Sequence, residues 1–147
     1  MFNQTQIPTN DTSDNSNTTG QIKEVWNDNL EEEFKVINEL VERYNYVAMD
    51  TEYPGIYSAF QADNTNKEAG YRFIKSNVDQ LKLIQVGITL CDENGDLPSP
   101  IATWQFNFKF NISTDKYVAD SINLLKDAGI DFKSLNDFGI NPLQFAD

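Results

Sequence analysis

The chain has 147 residues, with 23 Asp and Glu against 11 Lys and Arg, a formal net charge of -12, and no histidine. This length allows one domain with a hydrophobic core, and a hydrophobic fraction of 39% is typical of a folded protein. The missing histidine excludes Ser-His-Asp and Cys-His nucleophilic sites, His-ligated zinc and a histidine general base within this chain. The acidity argues against nucleic-acid binding through bulk positive charge, because phosphate neutralisation requires a surface of Lys and Arg.

Cysteine content and apolar runs give two further limits. Cys91 is the only cysteine, so the sequence has neither a disulfide framework nor a CxxC metal pair. No apolar run approaches the roughly 18–20 residues of a membrane span, so we expect no membrane partner. Residues 1–20 consist mostly of Asn, Thr, Ser, Asp, Gln and Gly, which predicts a disordered tail.

The first two ordered elements are predicted to be a helix and a strand. Apolar residues recur every three or four positions from Leu30 to Tyr44, which predicts a helix capped by Asn29 with Glu32 three residues on. The apolar run Tyr46–Met49 leads into an acidic segment and a Pro-Gly turn. This pattern predicts a central strand whose end reaches the surface.

Periodicity also predicts the remaining elements. A polar loop at about 58–66 precedes a second amphipathic helix, whose apolar residues are Tyr71, Ile74, Val78 and Leu81. The next elements are a hairpin and three helical segments: strands Lys82–Cys91 and Ile101–Phe110 around a turn at Asp92–Asp96, then helices at 118–125, 131–138 and from Asn141 onward. Because the sequence stops one turn into the last helix, we expect a C-terminal truncation.

Asp50 and Glu52 are the main candidates for chemistry. Residues two apart on a strand share a face, so their carboxylates can converge on a hard divalent cation such as Mg2+. A solvated strand end is the alternative, since an acidic chain produces the D-x-E pattern by chance. The aromatic stripe Trp104, Phe106, Phe108 and Phe110 resembles a base-stacking surface, but without a basic platform core packing is favoured.

Four blocks of sequence resemble one family. These are Tyr44–Gly55, Asn77–Gly87, Thr103–Asn111 and Asp120–Leu125. They are similar to the nuclease subunit of the CCR–NOT deadenylase complex (the CAF-one/Pop-two family), over about 22–146. The resemblance implies an α/β, RNase H-like fold of the DEDD exonuclease type. This chain would supply its N-terminal part, with three antiparallel strands and flanking helices.

The resemblance also implies an activity and a site. The family's first motif, Asp-Thr-Glu-Phe-Pro-Gly, stands here as Asp50–Gly55 with Tyr53 in place of Phe. Asp50 and Glu52 would then be catalytic residues and metal ligands for two Mg2+ ions, with Mn2+ as a possible substitute. Asp50 would bridge both ions and Glu52 would bind the ion on the nucleophile side. The activity would be poly(A)-specific 3′-to-5′ exonucleolytic hydrolysis that releases AMP from mRNA tails.

The family's two later aspartates and its histidine match no position here. Residues 21–147 would therefore be the N-terminal part of the exoribonuclease domain, inactive or nearly so alone. The implied partners are the poly(A) RNA 3′ end, the CCR–NOT scaffold, the partner deadenylase subunit and antiproliferative adaptor proteins. The implied localisation is cytoplasmic and nuclear. The rival hypothesis is a truncated, non-catalytic module that binds the scaffold or the adaptors.

Overall fold

The computed structural model describes residues 21–56 and 67–146. The predicted tail and the whole of the predicted polar loop at about 58–66 lie outside the described residues. In chain order the described elements are β1 (Gln21–Val25), α1 (Leu30–Leu40), β2 (Tyr46–Glu52), α2 (Lys67–Val78), β3 (Gln85–Cys91), β4 (Ile101–Asn107), α3 (Ala119–Asp127), α4 (Phe132–Phe138) and α5 (Pro142–Ala146).

The strands form a four-stranded mixed sheet with the order β1-β4-β3-β2. β2, β3 and β4 pair antiparallel, which confirms the three strands expected from the sequence. β1 pairs parallel with β4 and was not predicted. Its two apolar residues, Ile22 and Val25, do not alternate, and its partner lies far along the chain. Local periodicity therefore carries no signal for this strand.

One face of the sheet carries the main hydrophobic core. Trp104 and Phe106 on β4 are fully buried, together with Val86 and Leu90 on β3, and they pack with Leu30 and Ile37 of α1. Burial of the aromatic stripe confirms that it forms core and not a base-stacking surface. β4 is shorter than the predicted strand Ile101–Phe110, since regular pairing ends at Asn107. Beyond it, Phe108 forms an isolated bridge to Ile140.

A buried carboxylate lies between α1 and the sheet. Glu33, in the first turn of α1, accepts a hydrogen bond of 2.9 Å from the indole Nε1 of Trp104 and lies 3.0 Å from the ammonium of Lys23. The predicted side-chain cap by Asn29 is wrong: Asn29 precedes α1, but its Oδ1 accepts from the backbone N–H of Trp26 instead. The helix start is thereby attached to the end of β1.

A second core cluster lies where β4 leaves the sheet. Phe110 joins buried residues of α3 and α4, namely Ile122, Leu125, Phe132 and Leu135. Gly129, with φ +100°, follows α3 in the left-handed conformation that glycine allows at a helix end. α5 adds Phe145, whose ring contacts Phe34, Phe106 and Phe108 at centroid distances of 5.0–5.5 Å.

Two predicted elements, β2 and α2, are more exposed than the sequence led us to expect. β2 was expected to be a central strand, but within the described part of the chain it is an edge, since β3 is its only neighbour. Six of its seven residues are therefore exposed. In α2 the predicted apolar side, with Tyr71 and Ile74, is also largely exposed. Among the described residues, no helix is long and apolar enough to cross a bilayer.

Candidate active site

Asp50 and Glu52 occupy the end of β2. In the sheet register Asp50 pairs with Gly87 of β3, and Glu52 pairs with Gln85. Because strand side chains alternate, both carboxylates lie on the face of the sheet opposite to α1 and the main core. Asp50 is exposed and Glu52 is half-buried. The structure thus places the two predicted residues together at an accessible strand end.

Glycine at position 87 leaves space beside Asp50. An added Cβ at Gly87 would meet no atom within 4 Å, so this part of the sheet surface is open. Gly87 pairs in turn with Gln105 of β4, so no side chain of β3 stands between the Asp50 and Gln105 positions. A glycine within a strand is typical of places where a ligand approaches the backbone closely.

The segment after Glu52 is anchored to α3. The backbone carbonyl of Glu52 accepts from the N–H of Ile84 (2.8 Å), and that of Pro54 accepts from the N–H of Val118 (2.9 Å). Pro54 is fully buried, and Gly55 adopts φ +108° against α3. A Cβ at Gly55 would lie 2.8 Å from the Cβ of Val118, so only glycine fits there. This Pro-Gly turn therefore holds the carboxylate-bearing end of β2 in place.

Amide side chains continue the polar face away from β2. Gln85 Nε2 donates to Asn107 Oδ1 at 2.6 Å, and Asn107 Nδ2 donates to Glu24 Oε2 at 2.7 Å. Gln105 Nε2 donates to the other oxygen of Glu24 at 3.3 Å. The sequence showed Gln105 and Asn107 only as the polar side of an alternating strand. Their assembly with Glu24 depends on β1, which the sequence did not predict.

A cavity of about 510 Å³ opens on this polar face. The β strands contribute Glu24, Glu52, Gln85, Gln105 and Asn107, and other walls come from Trp26 and from 125–135. Asp131 in that wall accepts hydrogen bonds from Ser134 Oγ and the Lys133 N–H, and these bonds lower the pKa of its carboxyl below the ordinary 3.8. The cavity lining therefore includes three carboxylates and no Lys or Arg.

The two carboxylates at the end of β2 are suitable ligands for a hard cation, although two ligands are few. Mg2+ prefers carboxylate oxygens and is commonly held by one or two carboxylates plus substrate phosphates and water. Asp50 and Glu52 fit that description. Among residues 21–56 and 67–146, no group of three or more Asp, Glu, His or Cys side chains could hold a metal ion.

Comparison with known proteins identifies relatives over nearly the whole described chain. The family model for CAF1 family ribonucleases matches residues 25–145. Probable CCR4-associated factor 1 homolog 10 of Arabidopsis thaliana is 48% identical over 132 residues, covering 86% of this chain and 48% of that protein. Poly(A) ribonuclease pop2 of Schizosaccharomyces pombe is 43% identical over 133 residues, covering 90% and 40%. The chain thus spans about half the length of these relatives or less.

Solved structures that match the chain come from the same family. The S. pombe Pop2p structure with Mg2+ and Mn2+ bound matches with a TM-score of 0.79 at 44% identity, covering 85% of this chain and 50% of that chain. A chain in the structure of the yeast NOT1 MIF4G domain co-crystallized with CAF1 matches with a TM-score of 0.67 at 34% identity, covering 86% and 46%. The RNase H-like fold implied by the sequence resemblance is confirmed. The chain belongs to the CAF1 family of ribonucleases.

Proposed function

We propose that this chain contributes the first catalytic residues of a poly(A)-specific 3′-to-5′ exoribonuclease subunit that acts with Mg2+ or Mn2+. One observation carries the proposal: the Asp50 and Glu52 positions share one open face at the end of β2, in a chain that matches metal-bound Pop2p with a TM-score of 0.79. The alternative of a chance D-x-E pair on a solvated strand is less favoured. It does not account for the buried Pro54 and the left-handed Gly55 that fix this strand end.

The two carboxylates differ in surroundings, and this difference suggests different tasks. Asp50 is exposed next to the open space at Gly87, so it can contact a cation that also binds RNA phosphate. Glu52 is half-buried beside the amide side chains, where fewer orientations of its carboxylate are available. When bound, divalent ions in such sites stabilise the charge that develops on the attacking and leaving oxygens. Asp50 and Glu52 would hold and orient them.

Residues 1–147 alone are proposed to be inactive or nearly so on RNA. The sequence contains no histidine that could accept a proton from water. Within the described ranges, no group of three ligand-type residues forms around the pair. Two carboxylates without further ligands make a weak and open Mg2+ site.

The test is an assay of labelled oligo(A) RNA with the complete gene product that contains this chain. We expect Mg2+-dependent shortening from the 3′ end, with a loss of more than about 100-fold in Asp50→Asn. The control is Asp127→Asn, which changes an exposed carboxylate on α3. Equal rates in Asp50→Asn and the unsubstituted protein would show that the proposed residue is not catalytic.

A CCR–NOT scaffold is the proposed protein partner. The support is the matched yeast structure, in which CAF1 was crystallised with the NOT1 MIF4G domain. Binding of the partner deadenylase subunit and of antiproliferative adaptors, together with cytoplasmic and nuclear localisation, stays a prediction. If the unsubstituted gene product shows no Mg2+-dependent shortening of oligo(A) while scaffold binding is intact, the non-catalytic binding module becomes the favoured function.

A further inference from the structure

We propose that Asn94 is a site of spontaneous deamidation, and that the carboxylate of Asp92 controls the rate by holding the surrounding turn closed. Asn94 and Gly95 lie in the turn that follows β3 and precedes β4. The proposal concerns a covalent change of the chain itself. It therefore stands or falls independently of the proposed ribonuclease function.

The sequence singles out this asparagine. Asn94 is the only asparagine of the chain that is followed by glycine. Deamidation begins when the backbone nitrogen of the following residue attacks the side-chain carbonyl carbon of asparagine. A side chain on the following residue hinders that attack, and glycine has none. Asn141, by contrast, precedes a proline, whose nitrogen carries no hydrogen.

The structure leaves the reacting groups accessible. Asn94 and Gly95 are both exposed. Among residues 21–56 and 67–146, the side-chain amide of Asn94 has no hydrogen-bond partner, since its contact with Asp92 is made by its backbone N–H. A Cβ added at Gly95 would meet no atom within 4 Å. Nothing in the described surroundings therefore blocks the approach of the Asn94 side chain to the Gly95 nitrogen.

The reaction exchanges one bond for another at Cγ of Asn94. The backbone nitrogen of Gly95 loses its proton and bonds to this carbon, and the side-chain nitrogen takes up a proton and leaves as ammonia. The product is a cyclic succinimide. Water then opens the ring at either of its two carbonyls, which gives aspartate or isoaspartate. Water is the only co-reactant, and nothing is oxidised or reduced.

Three hydrogen bonds to Asp92 restrain this reaction. The N–H of Gly95, which carries the attacking nitrogen, donates to the backbone carbonyl of Asp92 at 3.0 Å. Oδ1 of Asp92 accepts from the backbone N–H groups of Asn94 at 2.9 Å and of Asp96 at 3.0 Å. Such bonds from an Asp side chain to the following backbone stabilise turns. Because the Gly95 nitrogen must leave its acceptor before it attacks, the turn has to open, and the Asp92 carboxylate opposes that opening.

Deamidation changes the charge and the length of this turn. Either product adds a carboxylate to a segment that already carries Asp92, Glu93 and Asp96. Isoaspartate also routes the main chain through the former side chain, which lengthens the backbone by a carbon. β2 and β3 pair from Tyr46 with Cys91 to Glu52 with Gln85, so the turn after Cys91 lies at the opposite end of the sheet from Glu52. The modification is therefore remote from the proposed metal pair.

The experiment incubates the purified chain at neutral and at mildly alkaline pH for several weeks and follows residue 94 by peptide mass spectrometry. We expect the side-chain NH2 group of Asn94 to be replaced by OH, with isoaspartate detected by an isoaspartate-specific methyltransferase. The rate should rise with pH, because the Gly95 nitrogen must lose its proton to attack. A chain unfolded in urea gives the rate without the turn, and we expect it to be about tenfold higher or more.

Asp92→Ala removes the side-chain acceptor that holds the turn. We expect deamidation in this variant to be about tenfold faster, in line with the loss of two hydrogen bonds to a carboxylate. Glu93→Ala is the matched control, since it removes an exposed carboxylate of the same turn and should leave the rate unchanged. Asp92→Asn keeps an acceptor oxygen and should react at close to the unsubstituted rate. NMR spectra report whether each variant remains folded.

Several results would overturn the proposal. An Asn94 that stays intact in the folded chain while the urea-unfolded chain reacts would show that the folded protein is not modified there. Equal rates in the folded and unfolded chains would show that the turn exerts no control, and this comparison needs no substitution. Equal acceleration in Asp92→Ala and Glu93→Ala would assign the effect to charge and not to the hydrogen bonds of Asp92.

Discussion

Gly55 shows how one backbone position holds the proposed metal ligands at the end of β2. Its φ of +108° is disfavoured for every residue with a side chain, and its Cα faces Val118 and Ser121 at the start of α3. The D-x-E-x-P-G pattern in the sequence predicted a strand end followed by a turn. It did not predict that the turn packs against α3, because Val118 is far along the chain and only the fold brings it there.

Gly55→Ala is expected to lower the free energy of unfolding by about 2 kcal/mol or more, since backbone strain and steric overlap act together. Gly95→Ala is the matched control: φ is +85°, but a Cβ there meets no atom within 4 Å. It should cost about 1 kcal/mol, from backbone strain alone. Urea unfolding of the two variants measures the difference, and equal losses would contradict the contact with α3.

Asp131, the N-cap residue of α4, makes the stability of the fold depend on pH. Hydrogen bonds from Ser134 Oγ and from the backbone of Lys133 and Ser134 lower the pKa of its carboxyl below 3.8. A lowered pKa in the folded state means that the ionised carboxylate stabilises the fold above about pH 4. That contribution is lost as the pH falls through the lowered pKa. Asp131→Ala should therefore melt at a lower temperature than the unsubstituted chain at pH 7.

The two melting temperatures should converge as the pH is lowered from 7 through the lowered pKa of Asp131. Circular dichroism melts across this range provide the measurement. A difference that persists unchanged at the acidic end would show that Asp131 acts through packing and not through its charge.

At the scale of elements, β2 is the most unusual part of the structure. Among the residues that the structure describes, its backbone pairs with β3 on one side only, and Tyr46, Val47 and Met49 are between 56% and 69% exposed. An exposed strand edge with apolar side chains is a template for pairing with another chain. The net charge of -12 opposes close approach of two copies, but salt screens this repulsion beyond about 8–10 Å.

Met49→Lys tests the edge, because it places a cation on the exposed apolar strand without changing Asp50 or Glu52. We expect the unsubstituted chain to self-associate as its concentration rises, and Met49→Lys to remain monomeric over the same range. Leu124→Lys, an equally exposed site on α3, is the control and should associate like the unsubstituted chain. Sedimentation velocity measures this, and a monomeric unsubstituted chain at high concentration would contradict the prediction.

Elements with strong local periodicity were predictable and the others were not. The spacing of Leu30, Phe34 and Ile37 predicted α1, and the alternation from Trp104 predicted β4. β1 was missed because a parallel strand of five residues takes its stability from β4 and not from its own pattern. β2 was predicted as central because its residues are apolar, whereas centrality depends on neighbours that local sequence does not show.

At the scale of the whole molecule, the family was predictable and the cavity was not. Four contiguous blocks carry the resemblance, so reading them requires no knowledge of the fold. The cavity, by contrast, is assembled from β1, Trp26, β3, β4 and the α3–α4 segment. None of these pieces is distinctive alone. Asp50 and Glu52 were accessible to sequence reasoning because both belong to one strand, whereas Glu24 and Gln85 come to line one cavity only through long-range strand pairing.

The most direct test of the proposed site is Mn2+ titration of the 15N-labelled chain, with paramagnetic broadening of amide signals as the readout. We expect the amides of Thr51 and Gly87 to broaden first, because they flank the two carboxylates in the sheet. The broadening should disappear in Asp50→Asn and persist in Asp127→Asn. Broadening that is unchanged in Asp50→Asn, or that is centred on the acidic first turn of α1, would contradict Asp50 and Glu52 as the metal-binding pair.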